Sequence, residues 1–148
     1  MGMATLRSLL RAFKTAVLLL VLTVSAHAAT LTPKDEKSVR EVVQGQLAAF
    51  AADNAVKAFS YAAPNIRQSM VSAKQFMAMV RENYAVVYRP VSVSFFKPER
   101  MDAGVVQAVQ LTDENDVLWM AFYTLQRQKN RLWRITGCVV KSATGRMA

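Results

Sequence analysis

The chain has 148 residues, of which 53% are hydrophobic and 20% are charged, so its composition suits a folded chain and excludes a disordered one. The length allows one domain, and a content of only 5 glycines and 4 prolines excludes collagen-like and low-complexity chains. One cysteine and one histidine are too few for a zinc site built from these ligands, and the net charge of +9 favours an anionic partner over a cationic one.

The N-terminal segment has the three parts of a secretory signal peptide. A basic stretch comes first and contains Arg7, Arg11 and Lys14. An apolar stretch, Ala16–Val24, follows, and a small-x-small cleavage site ends at Ala28. The apolar stretch is far shorter than the ~20 residues that a spanning helix needs, so the pattern predicts a cleaved signal peptide and not a membrane anchor.

The predicted signal peptide spans residues 1–28, and residues 29–148 are expected to form a single domain. The removed segment contains His27, the only histidine of the chain. A mature protein without histidine cannot use a Ser-His-Asp or Cys-His mechanism and cannot build a His-ligated metal site. We therefore expect no metal and no cofactor. The location is expected to be periplasmic or secreted, with membrane contact only transiently through the signal peptide.

Three helices are predicted in the first half of this domain. Thr32 and Ser72 are typical capping residues, and each precedes a stretch with apolar residues at helical spacing. Pro64 ends the second, short helix, and the residues after it are predicted to be a link. The predicted elements are helices from Pro33 to about Ala52, from Ala55 to about Ala62 and from Ala73 to about Asn83, with a link from Asn65 to Met70.

From Tyr88 onward the hydrophobic period changes to two, which is typical of strands. Runs rich in β-branched and aromatic residues are joined by short polar loops, and this pattern indicates an antiparallel meander. A polar turn region is predicted from Pro98 to Gly104. The predicted strands are Val91–Phe95, Val105–Leu111, Val117–Gln126 and Leu132–Val140.

The third predicted strand is apolar on both faces. Trp119 and Tyr123 lie on one face, and Leu118 and Phe122 lie on the other. The order of elements predicts an α+β fold in which three N-terminal helices pack on a curved antiparallel sheet of about four strands. Helices cover one face, so the other face is expected to line a pocket or to meet a second subunit.

Four runs of the sequence carry a resemblance to a known family. They are AFSYAAPNIRQSM (58–70), FMAMVRENYAVVYRPVSV (76–93), LWMAFYTLQ (118–126) and LWRITGC (132–138). The mature chain resembles the bacterial domain-of-unknown-function family 4864, and the order of elements resembles the cone-shaped nuclear-transport-factor-2-like fold, also called cystatin-like or SnoaL-like. The resemblance implies a fold and a compartment. It implies no activity, because that fold hosts isomerases, dehydratases, ligand binders and assembly modules.

Aromatic residues are the best candidates for a pocket, since they combine flat apolar surface with polar tips. Arg89 is the preferred anchor for an anionic ligand because arginine binds carboxylates and phosphates through paired hydrogen bonds. Plain core filling and a solvated surface charge are the alternatives for these residues. The candidate ligand-binding residues are Tyr61, Tyr84, Tyr88, Arg89, Trp119 and Tyr123.

The first functional hypothesis is a non-catalytic module that binds a small apolar or anionic ligand, with a homodimer formed through the outer face of the sheet. The second is a small isomerase- or dehydratase-like enzyme that uses a pocket carboxylate, with Glu82 as the best candidate, or a tyrosine. A third is an interaction protein whose pocket is filled by its own side chains. No residue is assigned a catalytic role.

Two further features leave alternatives open. Cys138 has apolar neighbours, so it is either a buried thiol or a residue that bridges two chains. Basic residues cluster at the last predicted hairpin and are Arg127, Lys129, Arg131 and Arg134. An exported protein seldom meets nucleic acid, so this cluster favours anionic lipid headgroups or an acidic partner, or protects a sheet edge against aggregation.

Overall fold

The computed structural model describes residues 30–143 and has a mixed α+β fold, which confirms the predicted fold class. The helices come first in the chain and are α1 (Pro33–Ala51), α2 (Ala55–Ser60), α3 (Pro64–Ser69), α4 (Ala73–Asn83) and α5 (Ala85–Tyr88). The strands follow and are β1 (Ser92–Phe95), β2 (Glu99–Met101), β3 (Gly104–Thr112), β4 (Leu118–Arg127) and β5 (Trp133–Ser142). The predicted signal peptide lies outside the described residues.

The long helix α1 forms where the sequence predicts it. The Thr32 hydroxyl accepts a hydrogen bond from the backbone N–H of Asp35 at 3.1 Å, and proline occupies the first turn. Its apolar stripe, which includes Val39, Val43 and Phe50, is buried against the sheet. Within residues 30–143, no helix is long and apolar enough to cross a membrane.

The structure contains three short elements that the sequence pattern did not predict. Helix α3 lies in the predicted link, α5 follows α4 directly, and β2 lies in the predicted turn region. Elements this short show no hydrophobic period, and tertiary contacts decide their conformation. Helix α3, for example, is held on the sheet because the Asn65 side-chain amide donates to the carbonyl oxygen of Thr136 at 2.9 Å.

The strands form one antiparallel sheet in the order β1-β3-β4-β5, and β2 pairs with β3 beside β1. Burial alternates along β3 and β4, so their odd-numbered side chains face the helices. Tyr123 and Leu125 are buried on this inner face, whereas Leu118 is 43% exposed on the outer face. The predicted assignment of odd- and even-numbered side chains of this strand to opposite faces is confirmed.

Strand β5 would present an unpaired edge, but the segment after α2 covers part of it. The N–H of Ala63 donates to the carbonyl oxygen of Ile135 at 2.7 Å. The N–H of Ile135 donates in turn to the carbonyl oxygen of Tyr61 at 2.9 Å. The register between β4 and β5 shifts at Thr124/Leu125, and such a bulge bends the strand. The covered edge places α3 beside the inner face of β5 and forms one wall of the cavity described next.

Candidate functional site

A cavity of about 170 Å³ lies between the helices and the inner face of β4 and β5. Every helix except α2 contributes lining residues, and the lining is mostly apolar. The aromatic rings of Phe50 and Phe76, 5.8 Å apart between centroids, form part of the wall. The polar and sulfur-containing residues of the lining include Gln46, Ser69, Met79, Tyr84, Tyr123 and Cys138.

Tyr123 lies at the centre of β4 and is 1% exposed. Its hydroxyl forms no hydrogen bond of good geometry with the residues that the structure describes, although the Cys138 thiol is close enough to interact with it. Burial raises the pKa of this phenol well above its usual value, and the nearby Cys138 thiol raises it further. An unpaired buried hydroxyl costs about 1–3 kcal/mol, so this group is an unused donor and acceptor in an apolar wall.

Cys138 lies directly across from Tyr123 in the register of β4 and β5. It is half-buried, is not part of a disulfide and lines the same cavity. Burial raises the pKa of this thiol to about 12, and its proximity to the Tyr123 hydroxyl offsets only part of that shift. The thiol is therefore protonated at neutral pH and is a poor nucleophile there.

Two other polar side chains around the cavity are bonded within the chain. The side-chain N–H of Gln46 donates to the carbonyl oxygen of Ala58 at 3.1 Å. The Ser69 hydroxyl donates to the carbonyl oxygen of Ile66 at 2.8 Å, inside α3. The Tyr123 hydroxyl and the Cys138 thiol are the deeply placed polar groups that the fold leaves for a ligand in this cavity, and the half-buried Tyr84 also lines it.

The structure places Tyr88 and Arg89 on a different feature, which we name the Asp53 cluster: Asp53, Arg81, Tyr88 and Arg89. The Tyr88 hydroxyl donates to the Asp53 carboxylate. Arg89 lies 2.8 Å and Arg81 lies 3.2 Å from the same carboxylate, and both guanidinium groups stack on the Tyr88 ring. The expected anion anchor Arg89 therefore already holds an anion from its own chain.

The Asp53 cluster joins the end of α1 to α4 and α5. Asp53 has a φ of 52°, in the left-handed region that aspartate tolerates better than most residues. The hydrogen bond from Tyr88, followed by the positive charges of Arg89 and Arg81, lowers the pKa of Asp53 below its usual value of 3.8. The cluster is largely exposed, and its contacts serve to close the helical layer.

Trp119 lies at the start of β4, and its indole N–H is bonded. It donates to the Asp113 carboxylate at 2.8 Å. The same carboxylate accepts from the backbone N–H groups of Asn115 and Val117, and the bond from Trp119 is the main reason that the pKa of Asp113 is lowered. Trp119 borders a second groove of about 410 Å³, which it shares with Tyr84 and Arg89.

Tyr61 lies at a third place, a groove of about 590 Å³ between α1 and the β4–β5 hairpin. Its hydroxyl packs against Gly45 of α1, where a Cβ would overlap it, so a larger residue at that position would force the Tyr61 ring to move. The six predicted ligand-binding residues therefore do not share one pocket. Tyr84 and Tyr123 line the first cavity, and their role in binding stays a prediction.

Several lining residues escaped the sequence analysis. Phe50, Phe76 and Met79 lie on helical stripes, which look the same whether they face a filled core or a cavity. Ile66 and Ser69 belong to α3, which was predicted to be a link. Only the buried tyrosine beside the lone cysteine could have drawn attention, and that pairing needs the strand register.

Comparison with known proteins gives one finding. The model of the family "Domain of unknown function (DUF4864)" matches residues 32–148. No curated protein and no solved structure matches the chain.

Proposed function

The chain belongs to the family Domain of unknown function (DUF4864), whose description gives no activity, and we propose that it is a binding module for a small, mostly apolar molecule held in the cavity lined by Tyr123 and Cys138. The observation that carries this proposal is the buried hydroxyl of Tyr123, which forms no hydrogen bond of good geometry within the described residues, in a mostly apolar wall. The N-terminal sequence pattern supports a periplasmic or secreted location, which is part of the proposal.

The size of the cavity limits the ligand. A cavity of about 170 Å³ is close to the ~150 Å³ of an engineered apolar cavity that binds benzene, and it is smaller than the ~300–1,000 Å³ of drug-sized sites. The ligand is therefore the size of one aromatic ring or a short branched chain. Phe50, Phe76 and Val80 supply the apolar contacts that would stabilise it.

The polarity of the cavity limits the chemistry of the ligand as well. A ligand with one oxygen atom, such as a ketone, can accept the hydrogen bond of Tyr123 and recover the free energy that the buried hydroxyl loses. A charged ligand is disfavoured, because none of the described lining residues carries a formal charge at neutral pH. The proposed ligand is therefore a small neutral molecule with a single hydrogen-bonding group.

Two probes of nearly equal shape test this proposal. Acetophenone has a carbonyl oxygen where α-methylstyrene has a methylene group. We expect acetophenone to bind more tightly by roughly two- to tenfold, the worth of one net hydrogen bond. Tyr123→Phe should abolish or reverse this preference, because the carbonyl oxygen would then be buried without a donor, as measured by ligand-detected NMR titration. Tyr88→Phe is the matched control and should preserve the difference, because Tyr88 is bonded in the Asp53 cluster.

A second pair of variants tests the location. Met70 is half-buried and lines the cavity, whereas the adjacent Val71 is 90% exposed and does not. Met70→Trp should block binding of both probes, and Val71→Trp should leave binding unchanged. Equal binding by both tryptophan variants would show that the probes bind elsewhere and would overturn the proposal.

A homodimer through the outer face of the sheet is a second proposal, supported by a separate observation. Val139 is 54% exposed there, and its uncharged partner across the β4–β5 pairing is the half-buried Phe122. The next pair along these strands joins the half-buried Met120 to the exposed Lys141, so the uncharged area is confined to the centre of the face. A face that meets its own copy must be self-complementary, and an uncharged centre avoids repulsion between two basic chains. Native mass spectrometry of the protein and of Phe122→Lys should show a dimer and a monomer, respectively.

The enzymatic alternative has less support in the geometry. No carboxylate lies among the described residues that line the cavity, so a general base of that type is missing there. Glu82 is exposed and borders the second groove instead. Tyr84 and Tyr123 are the tyrosines that line the cavity, and the raised pKa of Tyr123 favours the neutral, hydrogen-bonding phenol.

A further inference from the structure

The groove between the N-terminus of α1 and the β4–β5 hairpin has a chemistry unlike that of the cavity. We name it the hairpin groove, and its volume is about 590 Å³. We propose that the hairpin groove is a separate site for a small anion, a molecule that carries a phosphate or carboxylate group. The charged residues that line it are Lys34, Asp35, Glu41, Arg127, Arg131 and Arg134.

The positive charges of the hairpin groove exceed what its acidic residues neutralise. Asp35 pairs with Arg127, and Glu41 pairs with Lys37, which lies outside the groove. Lys34, Arg131 and Arg134 form no ion pair with any acidic residue of the part of the chain that the structure describes. Three cations at one concave surface create a positive potential that attracts an anion.

A hydrogen-bond donor buried in the wall of the groove is also unused. Trp133 is 6% exposed, and its indole N–H has no acceptor within residues 30–143. An indole N–H can only donate, so the missing partner must be an acceptor, as the oxygen atoms of a phosphate or carboxylate are. The Arg127 guanidinium lies over the Trp133 ring, 4.9 Å from its centroid, and would have to shift slightly to admit an oxygen atom.

The start of α1 adds a third contribution of the same sign. Thr32, Lys34 and Ser38 bring the first turns of this helix to the groove. The N-terminal end of a helix of 19 residues carries a partial positive charge. The helix end, the unpaired cations and the unpaired donor therefore all favour the binding of an anion. The carboxylate of Asp35 reduces the positive potential in part.

The shape of the site favours a small anion over a nucleic acid or a membrane. The anion would lie in a concave groove that also contains two carboxylates, and an extended phosphate backbone or an anionic bilayer would meet them as like charges. A single phosphate or carboxylate group can sit beside the unpaired cations and avoid both acids. The guanidinium groups of Arg131 and Arg134 suit the paired oxygen atoms of such a group.

The two tryptophans of the chain provide a direct test. Their indole N–H resonances are observed in a nitrogen-15 NMR spectrum of the protein expressed from the full chain, while inorganic phosphate is added at constant ionic strength. The Trp133 resonance should move and saturate, because its donor gains an acceptor. The Trp119 resonance should stay in place, since its donor is already bonded to Asp113. No movement of the Trp133 resonance would overturn the proposal.

A matched pair of variants tests the role of the cations. Arg131 has a φ of 69°, and asparagine tolerates this backbone conformation, so Arg131→Asn removes a charge without adding strain. It should weaken phosphate binding by roughly tenfold, the worth of a charge-assisted hydrogen bond. Lys129→Asn makes the same charge change in the same turn but outside the groove, and should alter the affinity less than about twofold.

Three results would contradict the inference. Equal losses in both variants would mean that net charge alone attracts phosphate. Movement of the Trp133 resonance with chloride in place of phosphate would remove the selectivity for oxygen acceptors. Pelleting with phosphatidylglycerol vesicles, without binding of free phosphate, would assign the groove to a membrane surface. Saturable binding of phosphate without pelleting supports the small-anion site.

Discussion

Tyr88 and Tyr123 are chemically identical side chains that the fold treats in opposite ways. The Tyr88 hydroxyl lies near solvent and donates to Asp53, between two arginines. The Tyr123 hydroxyl is buried and has no partner within the described residues. A polar group that is satisfied at the surface holds elements together. A polar group that is unsatisfied in an apolar wall lowers stability and leaves an interaction open to a ligand.

The same contrast separates the two tryptophans. The indole N–H of Trp119 is bonded to Asp113 and orders the β3–β4 loop, and that of Trp133 is unpaired beside three cations. In both pairs, the residue with the unused polar group lines one of the two proposed binding sites. The two proposed binding sites of this protein are built around these two residues, Tyr123 and Trp133.

Truncation of the two tyrosine rings gives the largest expected effect. Tyr123→Ala should lower the free energy of unfolding by about 3–5 kcal/mol, because a buried ring is lost from the centre of the core. Tyr88→Ala should lower the free energy of unfolding clearly less, since its ring is half-buried at the edge of the helical layer. Urea unfolding monitored by circular dichroism measures both. Equal losses would mean that Tyr88, too, is a core residue.

The thiol beside Tyr123 gives a pH-dependent form of the comparison. Cys138 has a folded-state pKa of about 12, above the 9.0 of an exposed thiol, so the unfolded chain loses this proton first as the pH rises. The stability contribution is complete below pH 9.0 and is lost progressively towards pH 12. The raised pKa of Tyr123 also makes stability decrease with rising pH, above the usual value of 10.0 for this side chain.

We therefore expect the free energy of unfolding to decrease as the pH is raised above 9.0, and to decrease less steeply in Cys138→Val. Denaturant unfolding on both sides of this pH measures the slopes. Valine is close in size to cysteine and does not ionise, so the difference in slope reports the thiol together with its effect on the pKa of Tyr123. An identical slope in both proteins would show that Cys138 ionises as readily in the folded state as in the unfolded state.

The sequence predicted the long elements of the fold and the two faces of β4, because the periods of 3.6 and two are strong signals over ten or more residues. It missed α3, α5 and β2, whose short lengths leave conformation to tertiary contacts such as that of Asn65 with Thr136. It grouped Tyr88 with Tyr123 as pocket aromatics. Composition carries no information on which hydroxyl finds a partner, because the partners come from distant parts of the chain.

Removal of the two hydroxyl groups alone sharpens the comparison. Tyr123→Phe should leave the protein equally stable or up to about 1 kcal/mol more stable, because an unsatisfied buried group is removed. Tyr88→Phe should lower stability, since the Asp53 carboxylate loses a donor. The two substitutions should therefore change stability in opposite directions. Thermal unfolding of both variants at one pH measures these changes. Destabilisation by Tyr123→Phe would reveal a partner for its hydroxyl in solution.

Acid titration of the Asp53 cluster gives the smallest expected effect. Its neighbours lower the folded-state pKa of Asp53 below 3.8, so its contribution is present above that pH and is lost as the pH falls through the lowered value. Asp53→Asn should therefore show a shallower loss of stability in acid. Asparagine tolerates the positive φ, so the substitution changes the charge and spares the backbone.

Asp116 provides the control for that substitution. It has a φ of 59° and forms no ion pair within the described part of the chain, so Asp116→Asn makes the same chemical change in a similar backbone conformation. Because Asp116→Asn breaks no ion pair, added salt should not change the stability of this variant relative to the unsubstituted protein. Added salt should narrow the difference for Asp53→Asn, because the exposed pairs with Arg81 and Arg89 are screened. An effect that salt leaves unchanged would assign the stability of the cluster to the hydrogen bond from Tyr88, and the contrast between the two tyrosines would then rest on that single bond.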